Sequence, residues 1–122
     1  MKTKFMLAVI LLISFAGCAG RAKLLPDKAM IGQWKSVKTR CYISADKIIW
    51  QDLASGDRSA SKYQVSTVND IERTVIFTYS DARLSLKNTF KFSQDNSSFQ
   101  HIREYLEDRP EVFTYVDAKQ EP

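Results

Sequence analysis

From residue 74 onward the chain alternates. In "TVIFTY", Val75, Phe77 and Tyr79 fall on one side of an extended backbone. In "LSLKNTFKF", Leu84, Leu86, Asn88, Phe90 and Phe92 face one way, and Ser85, Lys87, Thr89 and Lys91 face the other. This period of two predicts half-buried antiparallel strands. Asn88 is the polar exception on the apolar face, and it should either bond a neighbouring backbone group or point into a wet cavity, because an unsatisfied buried amide costs about 1–3 kcal/mol. "SDAR", "SQDNSS" and "EDRPE" supply polar turns between these strands and "FQHIREYL" and "VFTYV". "FQHIREYLED" accommodates a helix, with Ile102, Tyr105 and Leu106 at helical spacing, or a strand with Phe99, His101, Arg103 and Tyr105 on one face. The hairpin-length turns on either side favour the strand. Upstream, "GQWKSVKT", "CYIS", "KIIW" and "SKYQVSTV" read as further strands, broken at "SADK" and "DLASGDRS". The expected fold is all-β: a small antiparallel meander of about seven to eight strands, closed as a barrel or left as a strongly bent sheet.

The first residues follow a different pattern. Lys2 and Lys4 precede an apolar run over 5–15 in which Ser14 is the only polar side chain, and Ala16 and Gly17 are small. A basic start, a short apolar run and small residues before a cut are the parts of a secretory signal. The run is too short to span a bilayer, which takes about 20 residues. It also lacks the polar positions at helical period that a surface-packed core helix shows.

Phe15-Ala16-Gly17-Cys18 resembles the lipobox of bacterial lipoproteins. The resemblance implies cleavage before Cys18, with a diacylglycerol on its sulfur and an amide-linked acyl chain, palmitate among them, on its amine. More than one chain makes such an anchor stable, at about 0.8 kcal/mol per buried methylene. It also implies, with Ala19 at the second mature position, an outer-membrane lipoprotein facing the periplasm. The chain then divides into a signal helix over 1–17, an acylated flexible tether over 18–29, a β-barrel domain over 30–117 and a disordered tail over 118–122. With Cys18 acylated, Cys41 has no intrachain partner. It is either buried as a small hydrophobe, linked to a second chain in a disulfide dimer, or a reactive thiol.

The net charge of +4 suggests nucleic acid until it is divided along the chain. Residues 30–117 hold twelve basic and twelve acidic side chains, so the folded part is neutral. The excess lies in the leader and in Arg21, Lys23 and Lys28 of the tether, which suits an anionic membrane surface and leaves no basic stripe for nucleic acid.

Seven Phe, five Tyr and two Trp are enough to fill a small core. "LLPDKAMIGQWKSV" resembles the opening of lipocalins and of shorter lipocalin-like lipoproteins, where a Gly-x-Trp, here Gly32-Gln33-Trp34, starts the first strand. The resemblance implies a glycine at a sharp entry bend and an indole that plugs the barrel's base under an arginine from a late strand, here Arg103 or Arg109. It also implies a ligand cavity, for which Trp34, Phe77, Phe90 and Phe92 are the candidate lining residues.

Candidate chemistry is sparse. His101 is the only histidine, and a Cys41/His101 nucleophile pair has no surrounding motif. His101 is better read as a satisfied strand histidine. No residues stand at metal-ligand spacing, and no glycine-rich phosphate loop or Gly-x-Ser-x-Gly occurs. The run Glu104, Glu107, Asp108 and Glu111, interspersed with Arg103 and Arg109, reads as a charge-balanced turn region. The expectation is a non-enzymatic binding module without cofactor or metal, taking an apolar small molecule or an envelope protein. An exposed patch at Ile48, Ile49 and Trp50 would serve the latter. The alternative is an inhibitor or assembly factor acting on another envelope protein, similar to lysozyme inhibitors or pilotins.

Overall fold

In a computed structural model describing residues 20–81, 83, 86–104 and 109–122, the alternating segments form eight strands. The signal segment, Cys18, Leu84, Ser85 and the disputed Tyr105 and Leu106 lie outside the described residues. A one-turn helix, α1 (Pro26–Ala29), precedes β1 (Gly32–Lys35), β2 (Thr39–Ile43), β3 (Lys47–Asp52), β4 (Arg58–Asn69), β5 (Thr74–Tyr79), β6 (Asn88–Phe92), β7 (Ser98–Arg103) and β8 (Glu111–Asp117). Each strand pairs antiparallel with the next, and β8 returns to β1, so the meander closes into an up-and-down barrel. Closure pairs both edges that an open sheet would expose.

Inward positions follow the alternation. Val75 and Phe77 of β5, Asn88, Phe90 and Phe92 of β6, Phe99 and His101 of β7, and Phe113 of β8 are all buried. The strand read from "FQHIREYL" is therefore present over its described part, with Ile102 on the outer face. In the described part of "LSLKNTFKF", Asn88–Phe92 form the strand and Leu86 and Lys87 lie outside it.

One expected strand is instead a hairpin. "GQWKSVKT" does not run through but folds at Ser36-Val37-Lys38 into the β1–β2 hairpin. Ser36 Oγ accepts the amides of Lys38 at 3.2 Å and Thr39 at 2.9 Å, so a serine side chain builds a turn that has no Gly, Pro, Asn or Asp to announce it.

The two barrel ends differ. At the base, residues 20–30 are docked rather than free. Pro26, Ala29 and Met30 are buried, and the indole of Trp34 donates to Met30 O at 2.9 Å. Gly32 makes the entry bend at φ +134°, where a Cβ would lie 2.7 Å from Asp117 O. The arginine over the indole is Arg21, 5.3 Å from the Trp34 ring and 3.4 Å from that of Tyr115. It is neither Arg103 nor Arg109, because the up-and-down topology carries the β7 end and the β7–β8 connection to the opposite rim.

Arg21 also donates to Ala29 O at 3.1 Å and to Asn96 O at 3.2 Å. Asn96, fully buried at φ +60°, returns the contact: its Nδ2 donates to Arg21 O at 2.9 Å and to Leu24 O at 3.1 Å. Its Oδ1 accepts a short hydrogen bond from Arg73, which also donates to Leu24 O and pairs with Asp70.

Candidate functional site: the open mouth of the barrel

The sequence candidates Trp34, Phe77, Phe90 and Phe92 are brought together as core. Phe90 stacks on Phe99 at 4.1 Å and meets the edge of Phe77 at 4.7 Å, while Trp34 meets Phe99 at 4.7 Å and Phe92 at 5.7 Å. Rings in such contact occupy the volume that an apolar ligand would need, as small barrels commonly do. The patch proposed at Ile48, Ile49 and Trp50 is not formed either. Ile48 is fully buried, and strand alternation turns Trp50 inward with it.

Trp50 helps to line a cavity of about 280 Å3 at the end opposite the base, with Thr39, Tyr79, His101, Arg103, Glu111 and Phe113. The topology explains the assembly: each inward position nearest the β1–β2, β3–β4, β5–β6 and β7–β8 connections comes to one rim. The Trp50 indole donates to Tyr79 Oη at 3.1 Å and stacks on His101 at 5.3 Å, 12° from parallel. His101 Nε2 lies 3.0 Å from Asn88 Oδ1. The inward Asn88 and the strand histidine thus satisfy each other, while Asn88 Nδ2 donates to the neighbouring backbone at Leu86 O, 3.4 Å away; with an amide oxygen as acceptor, His101 Nε2 carries the proton.

The charged groups of the mouth are arranged less conventionally. Glu111, expected in a solvated turn, points inward, and its Oε2 accepts from Ser36 Oγ at 2.8 Å. Arg103 lines the same cavity, yet the ion pairs among the described residues are Lys47–Glu121 and Arg73–Asp70. A guanidinium and a carboxylate therefore face one space without pairing. Arg103 and Glu111 also border an outer recess with Lys38, Arg109 and Val112.

Burial, reinforced by the positive charge of Arg103, lowers the His101 pKa to about 4. At neutral pH the mouth therefore holds a neutral imidazole. The sign of the resulting pH dependence is fixed. Above about pH 6.5 both folded and unfolded His101 are neutral; below it the unfolded chain takes up a proton that the folded barrel refuses until about pH 4. Stability should fall across this window by up to about 3 kcal/mol. Urea titrations of His101→Gln at pH 7 and pH 4.5 should show a smaller acid loss than the parent, and an equal loss would count against His101 as the cause.

Cys41 is fully buried, and burial, then the nearby charge of Glu111, raises its pKa well above the ordinary thiol value. The reading of Cys41 as a small hydrophobe fits this, and a disulfide through it would require the barrel wall to open. No hydrogen bond joins Cys41 to His101. Among the described residues, no group of three or more His, Cys, Asp or Glu side chains is placed to hold a metal ion.

Glu111 is in view in the sequence only as a turn charge, and Arg103 as an inward strand residue and a candidate cover for Trp34 rather than as part of a mouth. Thr39 and Tyr79 had no signal beyond their inward phase, which becomes a rim only once the barrel closes. Comparison with protein-family models, characterised proteins and solved structures returns no match for this chain.

Proposed function

We propose that this chain is a lipid-anchored binding protein of the outer membrane, held at its periplasmic face by acylated Cys18, and that it binds at the open mouth rather than in the aromatic interior. The observation that carries this reading is the asymmetry of the barrel. The base is sealed by the segment that follows Cys18, the middle is packed with rings, and the mouth keeps a cavity lined by inward polar and charged groups. A few convergent polar groups on an aromatic frame are the usual composition of a small-molecule site. The part is non-enzymatic and requires no cofactor beyond the covalent lipid.

Two measurements test it. Cells fed an alkyne analogue of palmitate should label the wild-type chain and not Cys18→Ser, and only the wild type should sediment with outer membranes. An unlabelled wild type sinks the anchor. Native mass spectrometry of the full chain released from detergent should show a small added mass. Thr39→Trp, which fills the mouth, should remove that mass while leaving stability within about 1 kcal/mol of the parent. Mass that survives this substitution overturns the assignment to the mouth.

A second reading rests on the outer face of β1 and β8. Val37 is 96% exposed at the hairpin tip, and Val112 and Val116 line a shallow groove beside it. An inhibitor or assembly factor would use such a surface against another envelope protein. In that case Val37→Asp would abolish capture of the partner and Thr39→Trp would not.

A further inference from the structure

The unpaired charges of the mouth narrow its ligand, on the assumption that the mouth is the binding site. Arg103 stands on β7 beyond His101, and Glu111 stands directly opposite His101 on β8, so the two are diagonal neighbours across one strand pair. Opposite charges so placed ordinarily close on each other. Here Ser36 Oγ holds the Glu111 carboxylate at 2.8 Å, toward the β1 side of the rim, and Arg103 remains apart. Trp50 and Phe113 supply apolar surface to the same cavity.

We infer that the mouth binds a free α-amino acid with an apolar or aromatic side chain, taking its carboxylate on the Arg103 guanidinium, its ammonium on the Glu111 carboxylate and its side chain against Trp50 and Phe113.

Three features converge on this class. The guanidinium presents a planar fork matched to a carboxylate, and among the described residues it makes no ion pair that a ligand would have to displace. A ligand with only a negative charge would meet Glu111 unpaired, and one with only a positive charge would meet Arg103 unpaired. In a partly desolvated mouth each mismatch is penalised, so the zwitterion is selected against both. Size agrees: about 280 Å3, just under the roughly 300 Å3 at which ligand cavities usually begin, suits a molecule as small as an amino acid.

The test is a titration of the full chain in detergent with three probes of one shape: L-phenylalanine, phenethylamine and 3-phenylpropanoate. The His101 imidazole resonances and the Trp50 indole resonance serve as reporters. L-Phenylalanine should bind at least tenfold more tightly than either analogue. Arg103→Gln should reduce it to the level of phenethylamine. Glu111→Gln, whose amide oxygen can still accept from Ser36, should reduce it to the level of 3-phenylpropanoate. Circular dichroism checks that both variants remain folded. If 3-phenylpropanoate binds as tightly as L-phenylalanine, the mouth is an anion site and the zwitterion inference fails while the mouth assignment stands. If none of the probes moves either reporter, the inference fails, and the mouth assignment is then decided by whether Thr39→Trp removes the native added mass.

Discussion

Asn96→Ala is expected to destabilise the barrel by about 3–4 kcal/mol and to release residues 20–30 from its base. Three losses combine. The two amide donors to Arg21 O and Leu24 O disappear. Arg73, 8% exposed, loses the acceptor on its buried side and is left with Leu24 O and the outward Asp70. Alanine must also hold φ +60°, a conformation that asparagine tolerates far better. Asn96→Gly separates these terms: it relieves the backbone and should recover about 1 kcal/mol while leaving the hydrogen bonds unmade. Hydrogen exchange should show the amides of Ala29 and Met30, which bond Leu25 O and Pro26 O, losing protection before the strands do. Protection lost uniformly across the barrel would show that Asn96 supports the whole fold and not specifically the base.

Phe90→Ala should cost about 3–5 kcal/mol, seen as a urea midpoint lower by about 2 M, with no selective effect on ligand binding. The ring is fully buried between Phe77, Phe99 and the edge of His101, and alanine leaves a void that the closed strands on every side cannot collapse to fill. Against a typical margin of about 5–15 kcal/mol for a domain, this is a large fraction. Phe90→Leu should return more than half of the loss. A Phe90→Ala chain that kept its stability but lost its ligand would restore the apolar cavity that the ring packing argues against.

The strands of this barrel were legible because each carries its own evidence: Val75, Phe77 and Tyr79, or Phe99, His101 and Arg103, state their inner face within six residues. Asn88 and His101 were each marked as inward polar groups, but their pairing depends on a register between β6 and β7 that neither strand encodes alone. The hairpin at Val37 was missed because a serine side chain performs the work usually assigned to glycine or asparagine. The lock at the base was not legible at all. Arg21 and Asn96 are 75 positions apart, and "QDNSS" looks like any polar turn until the barrel closes beneath it. The arginine over Trp34 was sought on a late strand, whereas it comes from the segment before the first. The mouth was obscured in the same way, since Arg103 and Glu111 sit among neighbours of both signs and only their inward phase distinguishes them.

The docked segment also sets a reach. Only Ala19 lies between Cys18 and Gly20, and an extended chain advances at most about 3.6 Å per residue. A barrel anchored through Cys18 would therefore ride on a stub of roughly 7 Å rather than on a leash. Its opening would stand about one strand length, roughly 20 Å, farther out, facing away from the lipid that carries it. A receptor held this way cannot sweep the compartment for a distant partner or dip into its own bilayer. It would sample what diffuses past, so its occupancy would follow the concentration of small solutes in the layer next to the membrane.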